Sequence, residues 1–76
     1  MIRELDRVVL ATHVREHSLE AGDIGTVVLV HAGGKGYEVE FVTLDGETIT
    51  VTTLRASQVR PIEHREIAHA RMVAVH

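Results

Sequence analysis

Five consecutive residues, Tyr37-Glu38-Val39-Glu40-Phe41, alternate apolar and acidic side chains without a break. That alternation is the pattern of an extended strand, in which successive side chains point to opposite faces. Tyr37, Val39 and Phe41 then share a buried face, and Glu38 and Glu40 share an exposed one. A strand with one dry and one wet face cannot stand alone, so the chain is committed to a sheet that covers a core on one side. Tyr37 and Phe41 are also the only aromatic residues in the chain, so both are spent on this core.

Glycine supplies the punctuation, at Gly22, Gly25, Gly33, Gly34, Gly36 and Gly46. The stretches between are rich in Val, Thr and Ile, which suit a pleated, half-buried surface. Strands are expected over Arg7 to Thr12, Ile24 to His31, Gly36 to Thr43, Glu47 to Thr53, and a short one around Gln58 to Pro61. A long loop, His13 to Asp23, separates the first two. A turn at Arg55-Ala56-Ser57 precedes the last, where Pro61 belongs at an edge or strand end because it has no N–H to donate. The expected fold is all-β, a small barrel of about five strands over residues 1–62. A C-terminal tail or short helix over 63–76 follows.

The turn after the third strand sets the register. A two-residue Asp45-Gly46 hairpin places Phe41 opposite Thr50. A three-residue loop, Leu44-Asp45-Gly46 with Gly46 left-handed, pairs Phe41 with Ile49 and Val39 with Val51. Because the second arrangement buries the apolar face of both strands, it is the one expected. The second strand does not alternate: Val27-Val28-Leu29-Val30 is apolar throughout. Such a run is expected where both faces are covered. The outward residues, Val28 and Val30, are then covered either by the C-terminal segment of the same chain or by another subunit.

With 76 residues, the chain is one domain that buries only about 60% of its unfolded surface. It has no cysteine, so no disulfide or thiolate metal site reinforces it, and oligomerisation becomes an attractive source of stability. The formal net charge is −3 with acids and bases interleaved, which argues against a purely electrostatic grip on nucleic acid. No signal peptide is visible in MIRELDRVVL, and no apolar run approaches the ~20 residues of a membrane span. A cytoplasmic location is expected, with no membrane partner.

Motifs that carry chemistry fail on spacing. The Gly33-Gly34-Lys35-Gly36 run lacks the first glycine and the following Ser/Thr of a phosphate loop, and a strand follows it where a helix is required. His64 and His69 are five residues apart, about 140° around a helix, so they do not share a face. His13, His17, His31 and His76 are left as metal-ligand candidates only if an oligomer gathers them. Ser18 and Ser57 have no nucleophile-elbow context. No enzymatic activity and no cofactor are expected.

The segment Gly22-Asp23-Ile24-Gly25-Thr26-Val27-Val28 is similar to the KOW motif and to the barrel domain of nitrile hydratase β subunits. Over nearly its whole length the chain resembles a prokaryotic family catalogued as domain of unknown function 4926. The residues that carry this are Glu4-Leu5-Asp6-Arg7-Val8-Val9-Leu10, Gly22 to Val28, Tyr37 to Phe41, Asp45-Gly46 and Gln58-Val59-Arg60-Pro61. The resemblance implies an SH3-like small barrel and brings no activity, substrate or catalytic residue. Function is therefore expected from surface. A self-associating protein-interaction module, serving also as an accessory or antitoxin-like partner of another protein, would use Val28, Val30, Met72, Val73 and Val75. A nucleic-acid-binding barrel would use Arg55, Arg60, Arg65 and Arg71.

Overall fold

The computed structural model describes residues 1–73. Five antiparallel strands form one sheet: β1 (Arg7–Leu10), β2 (Ile24–His31), β3 (Gly36–Val42), β4 (Thr48–Arg55) and β5 (Val59–Pro61). Their order is β4-β3-β2-β1-β5. The two edge strands, β4 and β5, place Leu54 and Val59 in the same apolar cluster as Val8, Leu10, Val27, Val39 and Phe41 of the inner strands. One cluster reached from both edges means that the sheet curls over it, and the all-β, small-barrel-like architecture expected from the sequence is the one observed. A 3-10 turn at Ala56–Gln58 carries the chain from one edge to the other. Pro61 closes β5 at the sheet edge, where its missing N–H costs nothing.

The expected β3–β4 register is overturned. Phe41 faces Thr50, Val39 faces Thr52 and Tyr37 faces Leu54. The three-residue loop itself is present. Gly46 has φ +96°, its N–H donates to the Thr43 carbonyl (3.0 Å), and the Thr43 N–H donates to the Glu47 carbonyl (2.8 Å). The shift arises one step later, where the ladder jumps from Val42–Thr48 to Phe41–Thr50 and leaves Ile49 as an extra residue. Such a bulge resets the alternation of the strand. Ile49 packs against the core and Leu54 is buried within it, although their odd separation would put them on opposite faces of a regular strand. Without the bulge, Leu54 would point to solvent.

The apolar run of β2 has the same cause. Its ladder with β3 jumps from Val27–Val39 to Leu29–Glu38, so that Val28 is the bulged residue. Val27 is fully buried and Val30 packs against the core, while Val28 and Leu29 are exposed. The run therefore records a change of phase on one buried face, and Val30 does not belong to the outer surface. The strand buried on both faces is β1. Val8 and Leu10 point into the core, and Val9, only 4% exposed, lies outside that cluster on the other face.

The long loop expected after β1 is present, and it also contributes to the core. Val14 and Leu19 bridge across a 3-10 turn at Arg15–His17, and both side chains are buried in the core cluster. The loop thus adds two side chains to the core of the barrel. The tail from Ile62 to Val73 forms no helix; its only regular feature is a turn at His64-Arg65. Glu66, which would lie along such a helix, turns back toward Arg60 and the Glu63 N–H.

Candidate interaction surface

The outward side of β2, β3 and β4 is mixed in character. Val28, Leu29, Val42 and Val51 are each 40% to 51% exposed. Between them run carboxylates held by neighbours on adjacent strands. The Thr53 hydroxyl donates to Glu38 Oε2 (2.5 Å), His31 Nε2 lies 2.7 Å from the same oxygen, and the Thr48 hydroxyl donates to Glu40 (3.2 Å). The Thr53 hydrogen bond, followed by the one to His31, holds the Glu38 carboxyl below its ordinary pKa. These cross-strand bonds brace the outer face, while the apolar side chains beside them stay exposed. Val51 sits at the centre of β4, which has β3 on one side and, among the described residues, no strand on the other.

Farther along the outer face of the sheet, the tail crosses β1. It lines one cleft with Val9, Ile24, Ile62, Ile67 and Ala68, and a second with His13, Leu19 and Met72. Charge fixes it at two points. Arg60 engages Glu66 through both guanidinium nitrogens, one contact at 3.0 Å, and the Glu63 N–H adds 2.9 Å to the same carboxylate. The Arg60 hydrogen bond, followed by that from Glu63, pulls the Glu66 pKa down to about 2. Farther along, Arg71 Nε and Nη2 grip the two Asp23 oxygens at 2.8 and 2.5 Å. The same Nη2 donates to the Ser18 carbonyl (3.0 Å), and Arg71 Nη1 lies 3.7 Å from Glu20 Oε2. Burial alone would raise the Asp23 pKa; hydrogen bonds from Arg71 and from the Glu20 N–H outweigh it, and the net shift is downward.

With this geometry in place, the chain can be set against known proteins. The family model described as Domain of unknown function (DUF4926) matches residues 4–61. The chain belongs to this family. No curated protein and no solved structure gives a significant match. The DUF4926 match ends at Pro61, the last residue of β5, so it takes in all five strands and leaves the tail outside.

In this DUF4926 member the sequence-derived candidates fall into separate places. Val28 lies on the outer face, and Val30 is drawn into the core edge. Met72 is 91% exposed on the tail and Val73 is half-buried beside it; Val75 and His76 lie outside the described residues. Of the four arginines, Arg60 and Arg71 are occupied by carboxylates, whereas Arg55 and Arg65 carry no ion pair among the described residues. His13 uses its Nδ1 to accept the Ala21 N–H (3.1 Å), and His31 faces Glu38. Among the described residues, no group of three metal-binding side chains comes together. Sequence reasoning missed the Arg71–Asp23 clamp. Nothing marks it in the sequence, since its partners are 48 residues apart.

Proposed function

We propose that this chain is a non-enzymatic protein-interaction module of the cytoplasm that self-associates along the free edge of β4. One observation carries the reading: an eight-residue edge strand, Thr48–Arg55, with no second neighbouring strand among the described residues and with exposed Val51 at its centre. Unpaired N–H and C=O groups along an edge are a template for another strand, which natural sheets usually guard with lysine, proline or a bulge. β4 has no lysine and no proline, its one charge, Arg55, stands at the end, and its bulge lies at Ile49. Thr50 to Arg55 is thus left as an unguarded run. A two-fold pairing centred on Thr52 sets Val51 beside Thr53 of a second copy, on the outer face of both. It adds backbone hydrogen bonds to a barrel whose own core is thin.

Support for a non-enzymatic role comes from the interior: no buried residue among those described is polar or charged. The cytoplasmic assignment is supported by the absence of cysteine and by the lack, among the described residues, of any helix long and apolar enough to cross a membrane. An accessory or antitoxin-like role would use the same edge, since a partner protein can add a strand where a second copy does. The nucleic-acid reading has less behind it, because two of its four arginines are committed to carboxylates.

Sedimentation of the wild type and of Val51→Glu tests the proposal. A charge at the centre of the edge should leave the barrel folded and shift the population from dimer to monomer. A wild type that stays monomeric at all concentrations would end this reading.

A further inference from the structure

The loop between β1 and β2 is closed first by backbone and then by a side chain. Val14 and Leu19 exchange backbone hydrogen bonds at 2.9 and 3.1 Å. One step farther out, the rung is made by an imidazole: the Ala21 N–H donates to His13 Nδ1 (3.1 Å). The arm that follows is held by Asp23, whose carboxylate accepts the Glu20 N–H (2.8 Å) and whose own N–H donates to the Glu20 carbonyl (3.0 Å). This arm, with the Ser18 carbonyl, seats Arg71 of the tail.

A ring nitrogen that accepts a hydrogen bond carries a lone pair, so the proton of His13 in this arrangement sits on Nε2. A second proton has only Nδ1 to go to. It would set two N–H groups against each other across the rung, which therefore exists only while the ring is neutral. Histidine is the side chain whose ordinary titration falls between about pH 5 and 8.

The charged groups that share the surroundings of the ring are Arg15, Glu20 and Asp23 on its own loop and Arg71 from the tail. Once positive, the ring is repelled by the Ala21 N–H and drawn to the Asp23 and Glu20 carboxylates. Arg71 already holds Asp23, so two cations compete for one seat. Val14 and Leu19 remain buried in the core and keep the loop anchored while its outer arm responds.

We propose that His13 is a proton-sensitive latch on the seat of the tail. Neutral, it holds Ala21 and keeps the arm from Ser18 to Asp23 in the shape that receives Arg71. Protonated, it leaves Ala21 for the carboxylates and loosens Arg71. The direction follows from the lone pair: the latch is closed above the histidine range and opens as pH falls through it. The Arg60–Glu66 clamp lies outside this cleft. The two ends of the tail therefore release in sequence, Arg71 with His13 and Glu66 only when its own carboxylate protonates. No residue of β4 lines the cleft, so the latch stands or falls independently of the edge pairing proposed above.

Nuclear magnetic resonance of the full chain, titrated from about pH 8 to 5, tests the latch. The His13 ring, the Ala21 amide and the Arg71 resonances should shift with one shared midpoint, while Glu66 stays fixed. His13→Asn places a side-chain oxygen near the position of Nδ1, where it accepts from Ala21 and does not titrate. That variant should lose the step and keep Arg71 seated throughout, whereas His17→Asn, outside the rung, should leave the step unchanged. An Ala21 amide that does not follow the His13 ring overturns the proposal. So does an Arg71 that stays seated while Ala21 moves, or a step that survives in H13N. Should H13N fail to fold, the wild-type titration decides alone.

Discussion

Replacing Gly25 with alanine probes the tightest point of the barrel. Gly25 lies on β2 opposite Val8 of β1. A Cβ placed there would stand 2.5 Å from Val39 Cγ1, 2.9 Å from Phe41 Cε1 and 3.0 Å from the Glu40 carbonyl oxygen. Carbon atoms in contact normally keep about 3.5–4.0 Å, so the nearest approach is short by about 1 Å. Val39 is fully buried and Phe41 almost so, which leaves neither side chain room to swing away, and a backbone oxygen yields least of all.

Overpacking costs about 1–3 kcal/mol in general, and three obstructed directions place this site near the upper end. The alanine also restricts the unfolded chain, a gain of about 0.4–1 kcal/mol, so the net loss is about 2 kcal/mol. For a domain of this size that corresponds to a fall in melting temperature of about 8–16 °C. Thermal and urea unfolding followed by far-ultraviolet circular dichroism would measure it. Val39→Ala removes the nearest obstacle, so Gly25→Ala should cost about 1 kcal/mol less in that background than alone. An unchanged or raised melting temperature, or strict additivity with Val39→Ala, would refute the steric argument.

Three further outcomes follow from the structure. Leu54→Ala should cost about 2–5 kcal/mol and Val51→Ala, in the monomer, less than about 0.5 kcal/mol; urea melts with the reverse order would restore the unbulged register. Gly46→Ala meets no atom within 4 Å but must hold φ +96°, so it should cost about 1–2 kcal/mol through the backbone alone, with no coupling to core variants.

Acid should release the tail. Because Glu66 and Asp23 have lowered pKa values when the tail is docked, their contribution is full above the ordinary carboxylate range and is lost as pH falls. For Glu66 that window runs from 4.5 down through about 2. The groups facing these carboxylates are Arg60 and Glu63 on one side, and Arg71, Glu20 and His13 on the other. Amide shifts of the tail followed through an acid titration should move with these carboxylates while the strands stay folded; tail shifts that stay fixed throughout would contradict this.

What was legible in the sequence is what local pattern encodes. Tyr37 to Phe41 announced β3 because alternation and strand geometry share a period of two. The glycines marked where strands end, and Gly46 marked a three-residue loop because a left-handed turn residue belongs there. The register was not legible, since it depends on which of two bulged or unbulged ladders buries Leu54, a choice made by tertiary packing. The same blindness turned β2's apolar run into a false sign of two covered faces, when Val28 was a bulge and the doubly buried strand was the shorter β1. Of the surface, Val28 was found for a reason that the structure replaces. Val30 was misplaced with it. Arg60 and Arg71 were named as nucleic-acid contacts, and their carboxylate partners stayed hidden because they are distant or turned back along the chain.

If two copies meet along the edge of β4, backbone hydrogen exchange reads that edge directly. Edge pairing predicts that the outward amides among Thr50 to Arg55 become more protected as protein concentration rises, in step with the dimer mass, approaching twice 8.4 kDa. The amides of β5, the other edge, should not change. Exchange in Thr50 to Arg55 that is independent of concentration, in a sample whose mass shows association, would contradict the claim and place the interface elsewhere.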